Sequence, residues 1–455
     1  MSFLDAVGQL GTGPLIMFAL ALAIAFAFEF INGFHDTANA VTTVIYTRTL
    51  TPTPAVIYSG IMNFLGALIT VTVLGGAVAF GIVDLLPVDL LVNANSQEAL
   101  VSVLSLLIAG VAWNLGTWYI GLPVSSSHTL IGSILGVGLA NSLLSGNGIA
   151  GVNWSKATET FVFLFISPII GFIFSGALLL ALKKTIRDPE LYVPPPPDGK
   201  PPRWIRGVLI ATCGGVSFAH GSNDGQKGMG LLLLVLIGFL PFHYALDAHS
   251  TEKVSRLRET LPKVLELDLK PTELTPDPAG DVAFLGTALE GITKFEEINP
   301  PDERWKVRQA IFRLSRSAKA QKADKDIQGA MNAPIQHIPL WVVIGTALAL
   351  GIGTTYGYKR IMFTVAEKIG KTHLTYAQGA AAETIAAITI FSADRLHAPV
   401  STTQILSSGV AGTMAANGSG VQMGTARKIL LAWIITLPAT TLLAGLLFTI
   451  GKQFV

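Results

Sequence analysis

The sequence has 455 residues, of which 51% are hydrophobic and only 13% are charged, and its mean hydropathy is +0.56. Soluble chains carry about 25% charged residues, so this composition excludes an ordinary soluble protein and indicates a membrane protein. The formal net charge of +2 gives no reason to expect a nucleic-acid partner, and the single Cys213 excludes an intrachain disulfide.

Apolar runs of membrane-spanning length recur along the chain and predict an all-α polytopic membrane protein. Helices satisfy their own backbone hydrogen bonds in lipid, and the alternating pattern of a β-barrel is missing. By their spacing we expect roughly 10–12 crossings. The clearest runs are residues 14–30, 55–83, 100–120, 161–182, 341–356 and 429–450. The first residues lack the pattern of a signal peptide, so we expect the first run to be retained as a helix.

Two hydrophilic segments divide the hydrophobic pattern. A basic, proline-rich stretch near mid-chain predicts an exposed linker, and a later stretch that holds most of the charge predicts a water-exposed, mainly helical insertion. The predicted organisation is a first membrane repeat (1–182), the linker (183–206), the start of a second membrane repeat (207–242), the insertion (243–337) and the remainder of the second repeat (338–455).

The insertion contains a basic stretch, which we interpret as a solvated face. Its members are Arg304, Lys306, Arg308, Arg313, Arg316, Lys319, Lys322 and Lys325. The excess of Lys and Arg in cytoplasmic loops predicts that the linker and this stretch lie in the cytoplasm.

Two polar motifs occur in the same order in both halves and predict an internal duplication. FINGFHDTANA (residues 30–40) aligns with FAHGSNDGQKG (218–228), and PVSSSHTLIGSILG (123–136) aligns with PVSTTQILSSGVAG (399–412). Many transporters are built from inverted repeats that bind substrate on broken helices at the repeat interface. We therefore expect two inverted-topology repeats with helix breaks at these motifs.

The second motif of each half places three hydroxyl residues directly after a proline and a valine. Proline interrupts a helix, and serine or threonine can cap the next one, which leaves backbone N–H groups and hydroxyls at a positive helix end. Such a helix start binds anions. The predicted anion-binding residues are Ser125, Ser126, Ser127, Ser401, Thr402 and Thr403. The alternative is that these hydroxyls only pack between helices.

The first motif of each half contains an aspartate at membrane depth. Asp36 or Asp224 would cost about 2.5–3.5 kcal/mol facing lipid, so we expect both to face a polar cavity. Each follows a glycine by three residues, Gly33 or Gly221, which we expect to open the helix. Oxygen ligands of this kind suit a hard cation, and the predicted cation-binding residues are Asp36, Asn39, Asn223 and Asp224. The alternative is that each aspartate caps its own backbone.

Three further charged residues stand in or near these motifs. Lys227 aligns with Asn39 and is predicted to attract the anion or to offset a carboxylate, with an exposed interfacial lysine as the alternative. Glu29 and Glu383 lie in apolar helices and are candidate proton carriers, or else buried acids hydrogen-bonded between helices.

The histidines of the motifs do not predict a permanent metal site, because the duplication does not preserve them. His35, His128 and His220 align with Asn223, Gln404 and Asn32 respectively.

The segments NGFHDTANAVTTVIYTR, GLPVSSSHTLIG, FAHGSNDGQKGMGL and PVSTTQILSS closely resemble the signatures of the inorganic phosphate transporter (PiT) family, especially its bacterial Pit-type members. The resemblance implies a symporter that imports phosphate, in Pit-type members as a neutral complex with a divalent metal such as magnesium, together with protons; other branches use sodium. It implies phosphate contacts at the two hydroxyl runs, and it implies that the four residues named above bind the cation or complete the site.

The same resemblance implies a multi-pass protein of the bacterial inner membrane that needs no cofactor, with a homodimer as a candidate assembly. One departure is Gln404, which stands where the family commonly has histidine. It puts in doubt any proton or metal role assigned to that histidine.

Two other functions fit parts of the pattern. An intramembrane hydrolase could use Ser126 or Ser127 with His128 and Asp36. The second copy, however, replaces the base by Gln404, as expected for a binding surface. A channel is the other alternative, and paired sites on broken helices favour a carrier over it.

Overall fold

The computed structural model describes residues 7–8, 10–85, 96–146, 148–149, 152–196, 201–272, 275–300 and 302–454. Regular secondary structure in these ranges is helical, which confirms the predicted fold class. In chain order the α-helices are α1 (Thr12–Tyr46), α2 (Pro52–Leu74), α3 (Ala77–Val83), α4 (Ser96–Tyr119), α5 (Ser126–Leu144), α6 (Trp154–Thr185), α7 (Arg203–Phe239), α8 (Pro241–Tyr244), α9 (Thr251–Glu266), α10 (Pro278–Ala288), α11 (Glu303–Ala320), α12 (Lys325–Asn332), α13 (Leu340–Gly353), α14 (Lys359–Phe363), α15 (Tyr376–Arg395), α16 (Thr402–Asn417) and α17 (Met423–Gly451).

Six of these helices are long and apolar enough to cross a membrane, namely α1, α2, α4, α5, α6 and α17. Helix α13 is apolar but shorter. The predicted run 55–83 is divided into α2 and α3 at Gly75, whose φ of 81° is disfavoured for residues with a side chain. Beyond these helices, the number of roughly 10–12 crossings expected from the sequence stays a prediction.

The chain divides into two compact units. The membrane unit comprises Leu20–Leu233 and Leu340–Val455, and the charged unit comprises Met1–Ala19 and Leu234–Pro339. The five segments expected from the sequence pattern remain a prediction.

Both hydroxyl runs begin helices, as the sequence predicts. The Ser125 hydroxyl accepts a hydrogen bond from the backbone N–H of His128 at the start of α5, and Ser401 caps Gln404 of α16 in the same way. Both cap residues have extended backbone, with φ of −93° and −97°. Two copies of one sequence pattern therefore form two copies of one cap.

The two aspartate motifs, by contrast, lie in unbroken helices. Gly33 lies inside α1 and Gly221 inside α7, so the expectation that these glycines open the helix is wrong. Their function is close packing: a Cβ at Gly33 would lie 2.3 Å from the Leu350 carbonyl oxygen, and one at Gly221 would lie 2.0 Å from that of Asn63. Helix α1 thus packs against α13 and α7 against α2, so each motif helix contacts a helix from the other half of the chain.

The helices that carry the hydroxyl runs also pack closely against other helices at glycine residues. A Cβ at Gly136 of α5 would lie 2.2 Å from the carbonyl oxygen of Thr441 in α17. A Cβ at Gly412 of α16 would lie 2.0 Å from the carbonyl oxygen of Phe172 in α6. Small residues let membrane helices approach closely, and the reciprocal contacts join the two halves around the four motifs.

In the charged unit, the basic stretch is only partly a solvated face. Lys306, Lys319, Lys322 and Lys325 are exposed. Arg304 and Arg308 are buried, and they donate hydrogen bonds to backbone carbonyls: Arg304 to Ile298 at 3.2 Å and Arg308 to Ala245 at 2.7 Å. The guanidinium group presents several fixed donors, so the arginines stabilise this unit from inside while the lysines face water.

Candidate functional site

The centre of the site is formed by two carboxylates and one imidazole inside the membrane unit. His220 Nε2 lies 3.0 Å from Asp224 Oδ2 and 3.8 Å from Asp36 Oδ2. All three side chains are buried, and one ligand atom from each lies within 4.8 Å of the others. The structure therefore brings the paired aspartates together, and it places between them a histidine that the repeat comparison discounted.

The middle hydroxyl of each run contacts the central carboxylate of the same half. Ser126 Oγ donates to Asp36 Oδ2 at 2.9 Å, and Thr402 Oγ1 donates to Asp224 Oδ2 at 3.1 Å. Ser126 and Thr402 are equivalent in the duplication, as are the two aspartates. The contacts link both helix starts to one cluster, as expected for a shared site.

The next hydroxyl of each run marks where the two halves differ. Thr403 donates directly to Asp36 Oδ1. Its counterpart Ser127 donates to the carbonyl oxygen of Val400 at 3.0 Å and accepts from Lys227 Nζ at 2.6 Å. Lys227 also forms an ion pair with Asp224 Oδ1. In the second half, the Lys227 ammonium group thus lies between the Ser127 hydroxyl and the Asp224 carboxylate. In the first half, the Thr403 hydroxyl contacts the Asp36 carboxylate directly.

A chain of hydrogen bonds orients His220. The Thr354 hydroxyl donates to the Leu350 carbonyl at 3.0 Å, so its oxygen accepts from the Asn63 amide nitrogen at 2.9 Å. The Asn63 amide oxygen then lies 2.8 Å from His220 Nδ1, which must donate to it. In a neutral imidazole this leaves a lone pair on Nε2 facing the two carboxylates. Such an arrangement is favourable only when a proton or a metal cation occupies the space between them.

The amide nitrogen of Asn223 contacts a third carboxylate, that of Asp394. Its side-chain nitrogen donates to Asp394 Oδ1 at 2.5 Å, and Ser222 donates to the other oxygen of the same carboxylate. Its own oxygen is buried and has no hydrogen-bond partner among the described residues, so it is the atom of Asn223 that can bind a ligand. The side chain of Asn39 lies outside the part of the chain whose side chains the structure describes.

Sequence reasoning missed Asp394, Asn63 and Thr354. Asp394 carried one usable signal, because it is an acid close to the end of an apolar helix and five residues before Pro399. Asn63 and Thr354 carried none, since isolated polar residues are common in membrane helices.

The two candidate proton carriers lie at different places. Glu29 is fully buried against Gly228, next to Lys227 in sequence, and its carboxylate oxygens have no hydrogen-bond partner among the described residues. Glu383 is also buried, and it accepts hydrogen bonds from Thr43 and, at 2.6 Å, from Thr212. Glu383 therefore fits the alternative of a buried acid that is hydrogen-bonded between helices. The described structure shows no such hydrogen bond for Glu29.

The contacts do not assemble a hydrolytic triad. Ser126 donates to Asp36, and His128, the base that such a triad requires, has no hydrogen-bond partner for its Nδ1 among the described residues. A nucleophile needs its base within hydrogen-bond reach.

The fold and this site define a polytopic helical membrane protein with a buried polar cluster between its two halves, which is the arrangement of a transporter. The chain belongs to the phosphate transporter family, whose family model matches residues 32–444. It is 40% identical to the low-affinity inorganic phosphate transporters PitA and PitB of Escherichia coli K12, covering 98% of this chain and 98% of each relative. A probable low-affinity inorganic phosphate transporter of Bacillus subtilis is 31% identical over 96% of this chain and 97% of that protein.

A solved structure of a sodium-dependent phosphate transporter shares the fold, with a TM-score of 0.57 and 20% identity over 97% of this chain and 100% of that chain. The chain is thus a phosphate transporter and not an enzyme, and it is a multi-pass protein of the bacterial inner membrane.

Proposed function

We propose that this transporter imports inorganic phosphate as a neutral complex with a divalent metal such as magnesium, in symport with protons. The observation that carries the proposal is the convergence of Asp36 Oδ2, Asp224 Oδ2 and His220 Nε2, with the hydroxyl of Ser126 on Asp36 and that of Thr402 on Asp224. The low-affinity inorganic phosphate transporters to which the chain is 40% identical agree with the substrate.

Electrostatics favour the metal complex over bare phosphate. Two buried carboxylates would repel a phosphate dianion, because charge interactions are strong where water is excluded. A divalent cation bound by both carboxylates cancels that repulsion and can bind phosphate at the same time. A neutral complex also costs less to dehydrate than a free ion. The metal is therefore part of the transported substrate in this proposal.

The helix starts supply the phosphate contacts. The hydroxyls of Ser125 and Ser401 already cap their helices, so phosphate would be bound by the other backbone N–H groups of the two helix starts. Ser126 and Thr402 would turn their hydroxyls from the carboxylates to the phosphate oxygens. Ser127 and Thr403 are the next hydroxyls along the same helix starts. Lys227 stays a predicted phosphate-attracting residue through its contact with Ser127.

The coupling cation would bind beside Asp36, where Thr403 contacts the second carboxylate oxygen. Asn39 is proposed to add an amide oxygen there, and Asn223 would do so on the side of Asp224. Glu29 is proposed as the proton carrier, because its buried carboxyl group lies next to Gly228 and a charge on it would have no hydrogen-bond partner in the described structure. Glu383 is the second candidate, and its carboxylate accepts hydrogen bonds from Thr43 and Thr212.

The test is uptake of radiolabelled phosphate into proteoliposomes, with proton, sodium and magnesium gradients imposed one at a time. We expect uptake to require magnesium and an inward proton gradient, and to be unchanged when choline replaces sodium. Uptake that requires sodium and is insensitive to magnesium and pH would replace this proposal by sodium symport. A channel is separated from a carrier by counterflow, in which internal unlabelled phosphate accelerates entry of the label only through a carrier.

A further inference from the structure

Lys227 is coordinated in the manner of a bound cation. Its Nζ donates to Asp224 Oδ1, to Ser127 Oγ at 2.6 Å and to the Val400 carbonyl oxygen at 2.6 Å, and its side chain is only 3% exposed. The Ser127 hydroxyl gives its own hydrogen to Val400, so all three partners of Nζ act as acceptors. An ammonium group has three N–H donors, and protein oxygens use all of them.

These three ligands are the types that protein sites offer to metal cations. Carboxylate, hydroxyl and main-chain carbonyl oxygens coordinate hard cations, and here each comes from a different segment. The coordination leaves Lys227 no N–H for phosphate in this conformation. It does leave Asp224 Oδ2 facing His220 and the centre of the site.

The first half of the site has matching ligands without a lysine. By the alignment of the repeats, the counterparts of Asp224, Ser127, Val400 and Lys227 are Asp36, Thr403, Val124 and Asn39. Thr403 and Asp36 are in contact. The duplication therefore provides two equivalent sets of cation ligands, and the chain itself supplies a positive charge to one of them.

Charge balance distinguishes the two sets further. With His220 neutral, Asp36, Asp224 and Lys227 together carry one negative charge, which one monovalent cation at Asp36 would cancel. A second mobile cation beside Asp224 would meet the Lys227 ammonium at the same oxygens and be repelled. A buried charge is tolerated only when it is paired and hydrogen-bonded, and Lys227 meets that requirement for Asp224.

We propose that Lys227 is a tethered cation, which permanently fills the second half of the site and thereby removes one mobile monovalent cation from the transport cycle. The proposal rests on the proposed function, because it specifies how many coupling cations accompany each phosphate. It predicts that one such cation binds, at Asp36.

Lys227→Asn tests this by giving the second half the residue of the first. Initial rates of labelled phosphate uptake into proteoliposomes are measured against sodium at fixed pH and against pH at fixed sodium, with cation entry counted by sodium tracer and a pH-sensitive dye. The expected ratio of cation to phosphate rises by roughly one, because the vacated oxygens can bind a mobile cation. Lys227→Arg should keep the wild-type ratio. Lys156→Asn removes a lysine paired with Glu159 at 3.1 Å outside the site and is the matched control.

The double variant Asp224→Asn with Lys227→Asn should return to the wild-type ratio, because it removes the carboxylate that the added cation needs. An unchanged ratio in Lys227→Asn, or an equally raised ratio in the double variant, overturns the proposal.

A second measurement needs no phosphate. The melting temperature of purified protein is followed as sodium replaces choline at constant ionic strength, and separately as pH is lowered. We expect the cation-dependent stabilisation of Lys227→Asn to exceed that of wild type and of the double variant, which keep only the cation at Asp36. The same response in all three proteins, or failure of Lys227→Asn to fold at every cation concentration, overturns the role of Lys227. If wild type takes up no phosphate, the proposed function fails while this measurement still decides the question.

Discussion

The two halves of the site have the same contact at the Oδ2 atom of their aspartate and different contacts at the Oδ1 atom. Ser126 and Thr402 each donate to the Oδ2 atom of their own aspartate, at 2.9 and 3.1 Å. At the Oδ1 atoms, Asp36 meets the hydroxyl of Thr403 and lies 3.3 Å from His35 Nδ1, whereas Asp224 meets the ammonium group of Lys227. The lysine stands at the position that aligns with Asn39, so this ion pair belongs to the second half alone. In the proposed substrate site, the repeated motifs therefore supply matching contacts, and divergence between the copies makes the two halves chemically unequal.

Among the variants that compare the two halves, Asp36→Asn should have the largest effect on phosphate uptake. We expect the initial rate of phosphate uptake to fall at least about 100-fold, since an amide oxygen binds a hard cation far less well than a carboxylate. The protein should stay folded and membrane-inserted, because neutralising an intramembrane acid eases its burial. Uptake into proteoliposomes and gel filtration of purified protein measure the two effects. Wild-type uptake with unchanged cation dependence would reduce Asp36 to a structural cap.

Asp224→Asn should reduce uptake less, by about 10-fold, but should destabilise the protein more. It leaves the Lys227 ammonium buried without its counter-charge, and breaking a buried pair in this way costs about 3–5 kcal/mol. The melting temperature should therefore fall below those of wild type and Asp36→Asn. If Asp36→Asn melts at the lower temperature, the assignment of the ion pair to the second half is wrong.

Where the halves are alike, equivalent substitutions should have equal effects. Ser126→Ala and Thr402→Val each remove a hydrogen bond to a carboxylate, worth about 1.5–3 kcal/mol, and so should each slow uptake by at least about 10-fold. Two matched controls lie in the same helices: Ser133→Ala and Thr413→Val remove hydroxyls that donate only to helix carbonyls, at 2.8 Å each. We expect both controls to transport normally. Unequal losses for Ser126 and Thr402 would mean that only one helix start binds phosphate.

The smallest effects are expected from substitutions at the packing contacts of α5 and α16, the two helices that begin at the hydroxyl runs. Gly136→Ala and Gly412→Ala would each place a Cβ within 2.2 Å of a backbone carbonyl oxygen of the facing helix, where the backbone must move. Comparable losses of about 1–3 kcal/mol in unfolding free energy should follow, measured as falls in melting temperature. Gly424→Ala has no atom within 4 Å of its added Cβ and should be neutral. A large difference between the first two variants would show that the helix crossings are not equivalent.

Much of the site could be predicted from sequence because repeated polar residues in apolar helices are costly and must have partners. The paired aspartates, the hydroxyl runs and Lys227 were all identifiable by this argument, and so were the helix starts after Pro123 and Pro399. The same argument misjudged Gly33 and Gly221, since a glycine that opens a helix and one that permits close packing look alike in sequence. It also undervalued His220, which is central although its repeat counterpart is Asn32.

The sequence by itself determined the all-helical membrane fold, the duplication and the family, because hydrophobic length, motif order and residue type are local properties of the chain. Only the tertiary structure decided which atoms meet. Asn63 and Thr354 orient His220, Asp394 holds Asn223, and the carbonyl of Val400 completes the coordination of Lys227. These contacts join residues far apart in the chain, and they depend on helix packing, which no local pattern records.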